Sequence, residues 1–352
     1  MLLLDVSNMM YTGASTRGQY FGEASEFKLH SIPYILEKIA SYYSEDQDMI
    51  AVFEKVGRMP ALATGSGYKS GRNRNPLVEW EIGALQKLLE FVGFPTLYVD
   101  GKEADHVIAN YCRLYHNTEN INILSADMDL ACNVRQGQYS TKMLSYSTVS
   151  YNVDKYNFKE ITKVEYNFMN INKILCGCSS DKILAFPQGS QIYNSYISGL
   201  ESLWRRAYGY RINENSPSDF EDDVLMQYTT FEYFLEWYKT SKFYDEILVE
   251  ELERRKKLIQ GPIFNVPRVP TVNWTAYNEL INAFNLGNSS SIKSVSTGEY
   301  RPEMYNKIVE ILREAKTANL TMFDGNMDEL EELEEVGDIS NILGIISEDG
   351  EL

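Results

Sequence analysis

Apolar and polar positions follow two rhythms along the first half of the chain. Short apolar runs at residues 2–6, 49–53, 96–99 and 122–125 have the length of buried strands. Between them, apolar residues recur every three or four positions over 31–43, 78–91, 103–115 and 127–134, which predicts amphipathic helices. Strands alternating with helices in this way build an α/β fold, a mostly parallel sheet flanked by helices. Crossovers of this length are right-handed, and ligands in such sheets sit at the carboxyl ends of the strands.

From about residue 147 the rhythm changes. Residues 160–176, 220–240 and 243–257 read as longer helices with Tyr and Trp scattered between them. A segment rich in Pro and Asn, 261–274, interrupts the pattern before 275–284 and 301–318 resume it. The expected organisation is an α/β core over 1–146, a helical C-terminal subdomain over 147–318 that completes the site, and an acidic mobile tail over 319–352. Leu330, Leu333, Val336 and Ile339 give that tail a weak apolar stripe.

Composition narrows the class. The chain is 44% hydrophobic and 24% charged, with no apolar run near the length of a membrane span, so no membrane partner is expected. The opening run meets Asp5 too early for a signal peptide. Four cysteines (Cys112, Cys132, Cys176, Cys178) are too few for a secreted disulfide scaffold of 352 residues, which points to a cytoplasmic protein. The net charge of −17 argues at first against a nucleic-acid partner. Its distribution removes much of that objection: from Asp324 onward there are eleven carboxylates and no Lys or Arg, which leaves −6 on residues 1–323.

The acids elsewhere fall in a pattern. Asp5 directly follows the first apolar run, Glu54 the second, Glu103 and Asp105 the third, and Asp127 and Asp129 the fourth. If those strands are parallel neighbours, six carboxylates meet at one edge of the sheet, an arrangement that needs cations to neutralise it. Oxygen ligands favour Mg²⁺ or Mn²⁺, and two such ions about 4 Å apart are the usual device for displacement at phosphate. Each acid taken singly is equally well accounted for as a helix N-cap or first-turn residue. Downstream of the second run, Tyr68-Lys69-Ser-Gly-Arg72-Asn-Arg74 is a basic, glycine-containing stretch. It suits charge developing on a phosphate as well as it suits an ordinary solvated loop.

Four blocks carry a resemblance: Leu-Asp5-Val-Ser-Asn8, Gly101-Lys-Glu103-Ala-Asp105-His106, Ser125-Ala-Asp127-Met-Asp129 and Cys176-Gly-Cys178-Ser-Ser-Asp181-Lys182. In order and spacing they resemble the metal-binding blocks of the flap endonuclease and 5′-3′ exonuclease family, with its PIN-like nuclease fold. Within it they are most like the phage ribonuclease H-type 5′ nucleases. The resemblance covers roughly residues 1–190. It implies metal ligands at Asp5, Glu54, Glu103, Asp105, Asp127, Asp129 and Asp181, with about two Mg²⁺ or Mn²⁺ ions. It also implies catalytic roles for Asp5, Lys69 and Arg72, and nucleic-acid contacts at Tyr68, Lys69, Arg72 and Arg74.

The chain departs from the family at Glu54, His106, Cys178 and Lys182, and the stretch after Asp181 lacks the paired-glycine hairpin of most relatives. His106 and Cys178 offer a softer mixed site with neighbouring carboxylates, or else are a packed imidazole and a buried thiol. Trp204-Arg205-Arg206-Ala-Tyr208 interleaves cations and aromatics, so Arg205 and Arg206 are further candidate nucleic-acid contacts; a helix end with core aromatics explains them equally. Arg254 to Lys257 follow three glutamates and are better read as intrahelical ion pairs. Asn319-Leu320-Thr321-Met322-Phe323 resembles clamp-binding peptides, which makes Leu320, Met322 and Phe323 candidate contacts for a sliding clamp.

The expected function is a metal-dependent 5′ nuclease acting on DNA or RNA-DNA with a 5′ end or flap. It would serve phage-type replication in the cytoplasm of an infected bacterial host. The alternative is a nuclease-derived fold, catalytically weakened, that binds nucleic acid or protein.

Overall fold

A computed structural model describes residues 1–14, 18–22, 26–42, 48–55, 75–135, 138–146, 158–160, 163–177, 183–208, 227–260, 262–286 and 302–322. The chain divides into two compact units that do not follow the 146/147 boundary. The first is Met1–Lys55, Asn73–Val99 and Pro267–Leu352, and the second is Val56–Arg72 and Asp100–Val266.

In the first unit, strands β1 (Leu2–Asp5), β4 (Met49–Val52) and β5 (Thr96–Leu97) pair in parallel, with β4 in the middle. Every residue of β1 and β4 is buried, which fits parallel strands covered on both faces. Helices α1 (Val6–Gly13), α2 (Ser31–Ser41) and α3 (Pro76–Phe91) surround them, and a small antiparallel pair, β2 (Gln19–Phe21) and β3 (Phe27–Leu29), precedes α2. Asn75 starts α3 by accepting the Leu77 N–H at 3.0 Å, with Pro76 at the first helical position, where its missing N–H costs nothing.

The start of α2 is held differently. His30 offers no side-chain cap, and the orphan amides of His30, Ser31 and Ile32 donate instead to the carboxylate of Glu81, buried on α3, at 3.0, 2.8 and 2.9 Å. The last two helices, α9 (Trp274–Ala283) and α10 (Pro302–Met322), belong to this unit, and α10 packs along α3. Tyr277 donates to the Leu36 carbonyl at 2.6 Å, and Asn319 donates to that of Pro76 at 2.9 Å.

The second unit contains α4 (Ala104–Tyr115) and β6 (Ile121–Leu124), then a 3-10 turn (Met128–Asn133), β7 (Thr141–Tyr146) and β8 (Phe158–Glu160). Helices α5 (Lys163–Cys176), α6 (Gly189–Tyr208), α7 (Phe231–Thr240) and α8 (Glu246–Gln260) complete it. Strands β6 and β7 are parallel, whereas β8 runs antiparallel to β7. The helices close over Ile174, Leu175, Phe186, Tyr196, Phe234 and Leu252. No helix among the described residues is long and apolar enough to cross a membrane.

The fold is therefore the expected class, a mostly parallel sheet flanked by helices, with local corrections. Residues 158–160 form a strand where the helical reading began at 160, because they complete the ladder on β7. Of the helix expected over 220–240, residues 220–226 lie outside the described residues, and α7 is capped by Thr230, whose hydroxyl accepts the Tyr233 N–H at 3.2 Å. The segment assigned wholly to the tail starts inside α10, which runs to Met322 and whose Asn319 is buried.

Candidate metal centre

Asp5 and Glu54 belong to the first unit. The parallel register sets Asp5 beside Val52, so Glu54, two residues further, follows at the carboxyl end of the adjacent strand. Asp5 is 4% exposed and also caps α1, its Oδ1 accepting the Asn8 N–H at 3.2 Å. Ser7, in the first turn of α1, accepts the backbone N–H of Glu54 at 3.2 Å and ties the two strand ends together.

The second unit carries the other described acids. Gly101 adopts φ +72°, a left-handed turn that a side chain resists, and the chain then enters α4 with Glu103 at its N-cap and Asp105 in its first turn. Glu103 makes no side-chain cap hydrogen bond to the helix. One ligand atom each from Glu103, Asp105 and His106 lies within 4.8 Å of the others, and all three residues are half-buried. Two carboxylates and an imidazole at that spacing fit a divalent cation. Asp105 also accepts the His106 backbone N–H at 2.6 Å, and the His106 Nε2 stands 4.0 Å from the same oxygen.

Asp127 and Asp129 follow β6. Buried Ser125 donates its N–H to the Leu144 carbonyl at 3.3 Å, and its hydroxyl accepts the Asp127 N–H at 3.0 Å. Asp127 Oδ1 in turn accepts the Asp129 N–H at 3.0 Å, which fixes both carboxylates on one turn packed against α4 and α5. The Oδ2 of Asp129 accepts the ammonium of Lys173 from the last turn of α5. One oxygen each of Asp5 and Asp127 accepts a backbone amide, as the capping reading of these acids expects.

Gly177 ends α5 at φ +83°, where a Cβ would stand 2.6 Å from the Ile183 carbonyl oxygen. Asp181, Cys178 and Lys182 lie outside the described residues, as do Tyr68, Lys69, Arg72, Arg74 and Phe323. Arg205, Arg206, Leu320 and Met322 are placed as backbone, in α6 and at the end of α10, with their side chains outside the described residues. The basic run on α8 is engaged within its own unit: Arg254 and Arg255 bind Glu251, and Lys256 binds Glu232. The Arg254 hydrogen bond is the largest influence holding the Glu251 carboxyl down at about 2.

In the sequence His106 was legible as part of a mixed site with Cys178 and neighbouring carboxylates, or else as a packed imidazole. The structure groups it with Glu103 and Asp105. The signal that points there is its place directly after Asp105 in the first turn of α4, where i and i+1 side chains flank the same N-terminus.

Residues 1–164 match the family described as the 5′-3′ exonuclease N-terminal, resolvase-like domain. No curated protein matches the sequence. Among solved structures, the bacteriophage T5 5′-exonuclease with zinc bound is similar at 15% identity and a TM-score of 0.43, covering 90% of this chain and 99% of that chain. The T5 D15 flap endonuclease (D155K), in a pseudo-enzyme-product complex with DNA and metal ions, is 15% identical with a TM-score of 0.40, covering 89% and 98%. Human GEN1 in complex with Holliday junction DNA is 14% identical with a TM-score of 0.44, covering 89% and 71%.

Proposed function

We propose that the chain is a divalent-metal-dependent 5′ nuclease that hydrolyses phosphodiester bonds at the 5′ ends or flaps of DNA or RNA-DNA. One observation carries this reading: one ligand atom each from Glu103, Asp105 and His106 lies within 4.8 Å of the others, within a segment that matches the 5′-3′ exonuclease N-terminal domain. In this reading Asp5, Glu54, Glu103, Asp105, Asp127, Asp129 and Asp181 are cation ligands, His106 is a further one, and the cations are Mg²⁺ or Mn²⁺.

Such a cation, when bound, supplies Lewis-acid polarisation of phosphate oxygens and a lowered pKa for water. The chain's residues do the positioning. The Ser125–Asp127–Asp129 turn keeps two carboxylates in fixed relation, and Ser7 keeps Glu54 at its strand end beside Asp5. Lys69 and Arg72 steady the phosphate whose charge grows in the transition state. Tyr68, Arg74, Arg205 and Arg206 contact the nucleic-acid backbone.

The test is cleavage of a 5′-labelled flap and a nicked duplex, in Mg²⁺ and separately in Mn²⁺, by wild type, Asp127→Ala and Asp127→Asn. Metal-dependent cutting by wild type that both variants lose supports the nuclease, and product length separates exonuclease from flap cutting. Asp127→Asn keeps a side-chain oxygen for the Asp129 amide, so its loss of activity cannot be put down to a broken turn. A fully folded wild type that cuts neither substrate refutes the reading in favour of a binding factor, a role the engagement of Asp129 by Lys173 also suits.

A further inference from the structure

The Asp129–Lys173 pair joins two elements 44 positions apart in sequence, the 3-10 turn and the last turn of α5. Its side chains are only 24% and 15% exposed, so solvent screens the contact weakly. The carboxylate it occupies is the one whose amide Asp127 holds, so Lys173 reaches into the acidic turn itself. An ammonium and a divalent cation seek the same oxygens and cannot both be bound there without repelling each other.

We propose that Lys173 is a resident counter-ion of Asp129 that competes with the divalent cation and thereby sets the cation concentration at which this centre fills. The inference rests on the reading of Asp129 as a metal ligand. Lysine suits the role because its charge sits on a flexible four-carbon stem. It can withdraw without unfolding α5, whereas a planar guanidinium held in bidentate fashion would not release as readily. With the counter-ion present, the metal-free turn keeps its negative charge compensated, and filling is linked to displacement of the ammonium. Lys173 is in this sense a positioning residue for charge and takes no part in the chemistry.

The linkage has a sign that a merely structural contact does not. Lys173→Met removes the positive charge and keeps much of the stem's bulk, so the variant binds Mn²⁺ more tightly, by roughly tenfold, while its metal-free form melts at a lower temperature than wild type. Lys173→Arg keeps the charge and stays near or weaker than wild-type affinity. The experiment is calorimetric titration of the full chain with MnCl₂ alone, for wild type, Lys173→Met, Lys173→Arg and Asp127→Asn. Melting curves in chelator and in saturating Mn²⁺ accompany it. Tighter binding by Lys173→Met, with its melting deficit shrinking in Mn²⁺, supports the competition. Equal or weaker Mn²⁺ binding by a folded Lys173→Met overturns it. If Lys173→Met fails to fold, Lys173→Gln, neutral but still a hydrogen-bond donor, reads the same difference. If wild type binds no Mn²⁺, or binds it as well as Asp127→Asn does, the metal-centre reading itself falls, and that outcome is separable from a failure of the competition alone.

Discussion

The buried carboxylate of Glu81 holds the Ser31 N–H at 2.8 Å, and so one helix supplies the N-terminal cap that the sequence of the preceding helix lacks. Burial is the largest influence on Glu81 and raises its carboxyl to about 7, against the three amides that favour the charged form. The folded value lies above the ordinary 4.5, so between the two the native chain keeps a proton that the unfolded chain has lost. Stability from this group is complete below pH 4.5 and declines as pH rises to about 7, by roughly 3 kcal/mol at most. Melting curves from about pH 5 to about pH 8 should therefore fall for wild type and run flatter for Glu81→Gln. A wild-type curve that rises over this interval, with Glu81→Gln flat, would mean that the amides outweigh burial.

Arg255 is the second such joint. Its Nη1 donates to the carbonyls of Ile174 at 2.9 Å and Leu184 at 2.7 Å, and its guanidinium lies over the Phe186 ring at 4.7 Å from the centroid. Ile174 is in the last turn of α5 and Leu184 in the segment before α6, so one side chain on α8 fastens both. Arg255→Ala should cost about 2–3 kcal/mol, read by urea denaturation. Arg255→Lys, which cannot span two carbonyls and a ring, should recover less than half.

Asn110 fastens α4 to the irregular segment after α8. It donates to the His106 carbonyl at 2.8 Å and the Pro262 carbonyl at 2.9 Å, and accepts the Phe264 N–H at 2.9 Å. Asn110→Ala leaves that amide without its partner and should destabilise the protein by about 2 kcal/mol. Asn110→Asp keeps the acceptor but loses the donor, and should fall between the two in thermal melting.

The choice of cation should follow His106. Imidazole favours Mn²⁺ and Zn²⁺ over Mg²⁺ relative to a carboxylate, so His106→Asp should improve Mg²⁺ affinity and weaken Zn²⁺ affinity, each by about tenfold. Titration of both metals into each protein measures this, and an unchanged ratio would remove His106 from the ligand set.

How much of this was legible follows from the physics of each element. Buried parallel strands leave long apolar runs, and β1, β4 and β6 were readable to within one residue at each end for that reason. Helix α1 was not, because Asp5 ends the strand and caps the helix at once, with no intervening turn residues to announce the change. Helix α6 was hidden by its opening Gly189, which is required because a Cβ there would meet the Leu175 carbonyl oxygen at 2.1 Å. The acids were legible as a series, since each is the first polar residue beyond an apolar run or lies close behind it. Lys173 was not, because nothing local to α5 distinguishes a lysine facing water from one reaching a carboxylate 44 positions earlier. Glu81 was hidden likewise, as its partners lie about 50 positions away.

The packing of α10 along α3 bears on how the protein is made. A ribosome delivers β1, α2, β4 and α3 first, but the helix that covers α3 emerges only when synthesis reaches residues 302–322. Until then the nascent first unit carries an uncovered apolar flank, while the whole of the second unit has already left the tunnel and can fold. The unit that is begun first is thus finished last, and a stop before α10 would leave α3 without the helix that covers it.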